Sequence, residues 1–231
     1  MSFTPPRKPA EYAESELLNA ILDGTFPINS SLPSERDLAD QLGVTRPTLR
    51  EALQRLARDG WLDIQQGKST RVRDYWQEGS LATLSALAAS PHHQSPDFVA
   101  YLLEIRLLLA PTYTRQALEA ASSQIAAFLK GADLRSGEPA AFAAFDWELH
   151  HKLTGYARNP IFQLLLNGFE ELYAQMGRTY FSFEECRSES QKFYRRLLEC
   201  AESCDLDRAE NLLRQTMRGS LDLWLRLGGQ A

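Results

Sequence analysis

Residues Pro33-Ser34-Glu35-Arg36-Asp37-Leu38-Ala39-Asp40-Gln41-Leu42-Gly43-Val44-Thr45-Arg46-Pro47-Thr48-Leu49-Arg50-Glu51-Ala52-Leu53 constrain the fold more than any other part of the chain. Ser34 is suited to cap a helix whose start follows Pro33, and Gly43 marks the turn that ends it. Thr45 can cap a second helix, with Pro47 in its first turn, where a missing N–H matters little. Leu49, Ala52, Leu53 and Leu56 then recur on one face, leaving Arg46, Arg50 and Arg58 to point elsewhere. Two short helices joined by a Gly-bearing turn, the second opening on Thr-Arg-Pro-Thr, are how a helix-turn-helix presents a helix end to DNA.

The flanks extend this reading. An amphipathic helix is expected near Pro9 to Leu22, closed by Gly24. Beyond Gly60, Trp61-Leu62-Asp63-Ile64-Gln65 and Thr70-Arg71-Val72-Arg73 alternate like strands around a Gln66-Gly67-Lys68-Ser69 turn. A hairpin directly after the second helix of the motif makes a wing. Residues 1–75 therefore read as a winged helix-turn-helix of three helices and a small β-hairpin, and 76–80 as a connector.

From Leu81 onward no strand pattern competes with helix. Leu81-Ala89, Asp97-Ala120, Ser122-Leu134, Ala140-Tyr156, Ile161-Tyr180, Glu184-Ser203 and Leu206-Leu227 predict a seven-helix bundle over 81–231, with Gly228-Gly229 ending the last helix. The expected fold is thus mainly α. The longest apolar run falls short of the roughly 18 residues of a membrane span, and the N-terminus has no apolar signal region. Cys186, Cys200 and Cys204 suggest reduced thiols in a cytoplasmic protein, and Cys200 and Cys204 read most simply as small buried residues.

A net charge of −5 at first argues against nucleic acid. The distribution reverses that argument. Between Val44 and Arg73 lie seven basic residues (Arg46, Arg50, Arg55, Arg58, Lys68, Arg71 and Arg73) and three acidic ones (Glu51, Asp59 and Asp63). An acidic body with one basic patch repels DNA except through that patch. Thr45, Arg46 and Thr48 can donate to phosphates together with free backbone N–H groups. Arg46 and Arg50, one turn apart, can enter one major groove, where Arg reads guanine. Arg36 is placed to touch phosphate, and Lys68, beside the permissive Gly67, can reach a neighbouring minor groove.

These residues carry a resemblance. Pro33-Ser34-Glu35-Arg36-Asp37-Leu38-Ala39, Gly43-Val44-Thr45-Arg46 and Leu49-Arg50-Glu51-Ala52-Leu53 resemble the GntR family of bacterial transcription regulators. Gln54-Arg55-Leu56-Ala57-Arg58-Asp59-Gly60-Trp61-Leu62, Asn159-Pro160-Ile161, Leu166-Asn167-Gly168, Leu172-Tyr173, Gly177-Arg178 and Tyr180-Phe181 look like its fatty-acid-responsive FadR branch. The resemblance implies a homodimer that binds a double-stranded DNA operator, represses fatty-acid degradation genes and activates unsaturated fatty-acid synthesis genes. It also implies a C-terminal bundle whose effector is long-chain acyl-CoA, with no cofactor and no membrane partner. Positions matching the branch's DNA contacts are Arg36, Thr45, Arg46, Thr48, Arg50, Gly67 and Lys68. Pro47 and Gln66 stand within the same set and depart from the pattern, Pro47 replacing a hydroxyl residue and Gln66 a histidine. Arg106, Tyr173, Tyr180, Arg214, Ser220 and Trp224 match positions on the acyl-CoA cavity or its rim, whereas Met217 and Gly219 replace a glycine and an acidic residue. By spacing alone, Tyr173, Tyr180 and Trp224 read as helix packing.

Many relatives with such a bundle hold a divalent metal through one Asp and three His. Asp146 and His150 are one turn apart, but His92 and His93 fall in a connector, and His151 points about 100° away. Two ligands do not close a site, so no metal is expected, and Cys200 with Cys204 lacks further ligands for zinc. The alternative to acyl-CoA is a different small carboxylate or a metal-bound organic acid. An enzyme is not expected: no nucleophile–base set, phosphate-cradling loop or paired carboxylates are apparent.

Overall fold

The structure, a computed structural model, describes residues 8–90, 96–132, 134 and 137–227. His92, His93 and Gly228-Gly229 lie outside them. The chain divides into two compact units, residues 1–93 and 94–231.

In the first unit, α1 (Pro9–Leu22), α2 (Glu35–Leu42) and α3 (Arg46–Arg58) precede β1 (Leu62–Asp63) and β2 (Arg71–Val72). Both α1 and α2 pack on α3. The expected apolar face of α3 is the core: Leu49, Ala52, Leu53 and Leu56 are all buried, with Leu17 of α1 and Leu38 of α2. Burying side chains of this size contributes roughly 1.5–3 kcal/mol each, and α3 supplies the centre. The strands pair antiparallel, Leu62 with Val72 and Asp63 with Arg71. They are shorter than the alternation predicts, because Ile64 to Ser69 are exposed at the turn.

The wing also has a third member that the sequence does not announce. Asn29 and Leu32 donate N–H groups to Val72 and Thr70 carbonyls (3.0 and 2.8 Å), and Val72 donates to Ser30 (2.9 Å). The segment before α2 thereby braces β2. The expected connector is not bare either. It carries α4 (Tyr75–Glu78), with Tyr75 buried and its ring 5.2 Å from Trp61. α5 (Leu81–Ala89) follows, its Thr83 hydroxyl bonded to the Asp59 carbonyl at the end of α3 (3.2 Å).

The second unit is helical: α6 (Pro96–Lys130), α7 (Pro139–Tyr156), α8 (Ile161–Asn167), α9 (Glu170–Ser182), α10 (Glu184–Ser203) and α11 (Leu206–Leu227). α6 packs on α7, α10 and α11, and α7 packs on α9. Two expected helices meet within α6 at Ala121, whose φ of −148° and ψ of 38° break the helical path. The Ser122 hydroxyl ties that break to the Ala201 carbonyl (2.5 Å). The single helix expected over Ile161–Tyr180 is instead two. Gly168 weakens the helix, and Phe169 turns tightly back to Leu166 (2.9 Å) before α9 restarts. Leu118, Ile125, Phe142, Leu149, Leu153, Leu197 and Leu213 fill the core. No helix among the described residues is long and apolar enough to cross a membrane.

Candidate DNA-reading surface and ligand cleft

The reading head is built by local capping. The Ser34 hydroxyl accepts from the Asp37 N–H (3.3 Å) and donates to the Asp37 carboxylate (2.7 Å). That hydroxyl, aided by Arg36, holds the exposed Asp37 carboxyl below its usual range. Gly43 turns the chain with φ of 65°, a left-handed conformation that glycine adopts without steric penalty. Thr45 then caps α3, accepting from the Thr48 N–H (3.4 Å), and the two hydroxyls lie 2.9 Å apart.

This geometry narrows what the helix end can offer. Pro47 has no N–H and that of Thr48 is engaged by the cap, so among the first three residues of the helix end Arg46 keeps its amide for a phosphate. Arg36, Thr45, Arg46, Pro47 and Arg50 are exposed and Thr48 half-buried. Arg50 is not free: its Nε donates to the Glu35 carboxylate at 2.7 Å. Arg55 is bound to Glu51 and Glu14 (2.6 and 3.2 Å), Arg58 to Asp59 (2.9 Å) and Arg73 to Glu78 (3.6 Å). The basic patch is therefore smaller in effect than its count, and among the described residues Arg46, Lys68 and Arg71 are its members without an ion pair. At the wing, Gln66, Gly67 and Lys68 are exposed. Gly67 has φ of 76°, and Lys68 donates to the Gln65 side chain (2.8 Å).

In the second unit, α7 places Asp146 and His150 one turn apart, both buried. Gly177 of α9 lets that helix close on α7, since a Cβ there would stand 3.0 Å from that of Ala143. The approach lets the Tyr173 hydroxyl donate to the Asp146 carboxylate. Arg106 of α6 donates to the same carboxylate oxygen (3.0 Å) and Tyr194 of α10 to the other (2.8 Å). Burial opposes ionisation of Asp146, but Arg106, His150 and the two phenols outweigh it and hold the carboxyl below its usual range. His150 Nδ1 lies 2.7 Å from the Tyr113 hydroxyl. Burial, reinforced by Arg106 and opposed by Asp146, pushes its imidazole down to about 3, so the ring is neutral at pH 7.

The Asp146–His150 pair thus faces an arginine. Among the described residues no group of three or more His, Cys, Asp or Glu is disposed to hold a metal ion. Arg106 supplies the positive charge at this carboxylate, while His150 Nε2, 3.9 Å from it, is buried with no hydrogen-bond partner among the described residues.

A cleft of about 550 Å³ opens between α10 and α11, with Tyr180 of α9 and Ser220, Phe193 and Leu223 on its wall. Tyr180 interacts with Ser220 and Cys186, and burial raises its phenol. Lys192, Arg195, Arg196, Glu189 and Glu199 also line it; sequence reading passed over all five, because a charged helix face is ordinarily solvated. Beside Gly219, another lining residue, a Cβ would meet no atom within 4 Å.

The six sequence-selected ligand positions separate into four places. Tyr180 and Ser220 share the cleft, while Arg106 and Tyr173 share Asp146. Trp224 is buried with Val99 and Ala100 beside Tyr180. Arg214 lies on the surface, bound to Glu210 (2.7 Å). Met217 is buried. Of the cysteines, Cys186 and Cys200 are buried but Cys204 is exposed, because it takes the left-handed position that ends α10 (φ 53°) rather than a place on the inner face.

Comparison with known proteins accords with this architecture. Residues 9–72 match the family model described as bacterial regulatory proteins, gntR family. Residues 73–230 match the one described as the FadR C-terminal domain. A "fatty acid metabolism regulator protein" of Shewanella denitrificans is 40% identical over 219 residues, 95% of this chain and 92% of that protein. One of Klebsiella pneumoniae is 38% identical over 221 residues, 96% of this chain and 92% of that protein. A solved structure, titled for Lar and its control of the Listeria monocytogenes agr system, covers 98% of this chain and 100% of its own, with a TM-score of 0.60 at 16% identity. That last likeness concerns the fold alone.

Proposed function

The chain belongs to the GntR family of bacterial regulatory proteins, with a FadR-type C-terminal domain, and is a DNA-binding transcription regulator rather than an enzyme; from that premise we propose that it controls fatty-acid metabolism in response to long-chain acyl-CoA. In this reading it represses degradation genes and activates unsaturated fatty-acid synthesis genes, and acyl-CoA releases it from its operator. Residues 1–75 bind DNA, 76–80 connect, and 81–231 bind the effector; the two family models meet close to the first boundary, at residues 72 and 73, while α5 falls in the first compact unit.

Arg46 and Arg50 read bases, Thr45, Thr48 and Arg36 hold phosphates, and Gly67 with Lys68 follows the minor groove. Pro47 and Gln66 are where operator preference diverges first. A homodimer fits this role, since two copies of one reading head match the half-sites of a palindromic operator.

The observation that carries the ligand assignment is the cleft. Its size falls within the roughly 300–1,000 Å³ of small-molecule sites. Its wall joins apolar Phe193 and Leu223 to the hydroxyls of Tyr180 and Ser220, groups that suit a hydrocarbon chain and a thioester carbonyl. Ligand and DNA are then linked: whatever factor acyl-CoA removes from operator affinity, DNA removes from acyl-CoA affinity.

Calorimetry tests the assignment. Oleoyl-CoA is expected to bind one per chain at micromolar concentration, and zinc not to bind tightly. Tight one-to-one zinc binding with no heat from oleoyl-CoA would overturn it in favour of a metal-held organic acid.

A further inference from the structure

Charge balance around the cleft singles out a part of it that the resemblance does not. Two carboxylates line the wall, and each is already neutralised. Glu189 is bound to Lys192 (2.6 Å), and Glu199 to Arg208 of α11 (2.5 Å). Two guanidinium groups on α10, Arg195 and Arg196, also line the cleft. Arg195 spends its Nε on the Gln191 carbonyl (3.3 Å), which leaves its two terminal nitrogens. Neither arginine has an ion-pair partner among the described residues, and both are exposed. The cleft wall therefore carries two uncompensated positive charges.

We propose that Arg195 and Arg196 form the clamp for the phosphate groups of the acyl-CoA, and so select the coenzyme thioester over the bare fatty acid. This rests on the acyl-CoA reading above and assigns its charged end to α10. Guanidinium forks meet phosphate oxygens two at a time, which an ammonium cannot do. Neighbouring residues on a helix project about 100° apart, but both arginines line this one cleft, and side chains of this length reach an anion from two sides. Arg214, the arginine that the resemblance offers for this task, lies outside the cleft wall with its guanidinium on Glu210. The alternative that α10 is simply a solvated basic face does not account for a concave wall on which both acids are paired and both arginines are not.

The test uses the full chain, with the double variant Arg195→Gln/Arg196→Gln beside Arg214→Gln, each checked for unchanged thermal melting. Two probes are compared by calorimetry: oleoyl-CoA, and the N-acetylcysteamine thioester of oleate, which keeps the thioester and chain but has no phosphate. The double variant is expected to lose roughly ten-fold or more in affinity for oleoyl-CoA, to keep its affinity for the phosphate-free thioester, and to bind DNA as the wild type does. Arg214→Gln is expected to bind both probes normally.

Wild-type affinity for oleoyl-CoA in the double variant would overturn the proposal while leaving acyl-CoA as the effector. Equal weakening toward both probes would overturn it by showing a change of cleft shape. Loss of DNA binding by the double variant would reassign the pair to the DNA backbone. If the wild type binds neither probe, both this assignment and the acyl-CoA reading fall together.

Discussion

Removing the Asp146 carboxylate should be among the most damaging single changes in the second unit. Its side chain is 8% exposed and that of Arg106 19%. Asp146→Ala strands the arginine charge and leaves the hydroxyls of Tyr194 and Tyr173 without their acceptor. Breaking a buried ion pair from one side costs about 3–5 kcal/mol. Partial exposure of Arg106 puts this pair near the lower end, at about 3, and the orphaned hydroxyl of Tyr194, the buried one of the two phenols, adds about 1. The expected loss is therefore about 4 kcal/mol, a large share of the 5–15 typical of a whole domain. Asp146→Asn keeps an acceptor for Tyr194 and should lose about half as much. The paired change Arg106→Met/Asp146→Leu removes both charges, so its loss should fall short of the sum of the two single changes by at least about 2 kcal/mol. Urea unfolding followed by fluorescence suits the purpose, because Trp147 packs on the Tyr173 ring at 5.1 Å. A loss below about 1 kcal/mol for Asp146→Ala, or strict additivity in the double variant, would refute the reasoning.

Acid should weaken the second unit through His150. The unfolded imidazole takes up a proton below pH 6.5, whereas the buried one resists until about 3, so stability falls as pH drops through that window, by about 3 kcal/mol at pH 4.5. Asp146 contributes its own loss only below its unfolded value of 3.8, so a His150→Leu chain should show a flatter curve between pH 6.5 and 4.5; parallel curves would count against burial of a neutral ring. Arg46→Ala should lower operator affinity roughly ten-fold or more and relax base preference, whereas Lys68→Ala should weaken all duplexes alike and reduce the salt slope by about one ion; fluorescence anisotropy over a salt series separates the two. Thr45→Ala, by deleting the cap of α3, should destabilise the first unit by about 1 kcal/mol in thermal unfolding, and an unchanged midpoint would mean that the cap contributes nothing.

The parts of this molecule legible in its sequence are those made by neighbours along the chain. The Ser34 and Thr45 caps, the Gly43 turn and the buried face of α3 depend on residues within one or two turns, and each was readable from type and spacing. The Glu35–Arg50 bridge joins residues 15 apart, and its register depends on how α2 crosses α3, which no local pattern states. The brace of residues 29–32 on β2 is likewise a product of tertiary pairing. Asp146 and His150 were visible as a helical pair, but their chemistry is set by Arg106, 40 residues earlier, which turns a half-formed metal site into an ion pair. Arg195 and Arg196 resemble any solvated face until α11 arrives opposite them. Cys204, one residue past the expected helix end at Ser203, is exposed because it takes the left-handed turn that closes α10.

The central claim joins DNA binding by the first unit to acyl-CoA binding by the second, and one titration addresses both. A labelled duplex, selected by the protein from random sequence, is saturated with the wild-type chain, and oleoyl-CoA is added while anisotropy is followed. The account predicts release of the duplex at micromolar oleoyl-CoA, with oleate and free coenzyme A far less effective. A duplex that stays bound at every concentration of oleoyl-CoA would contradict it.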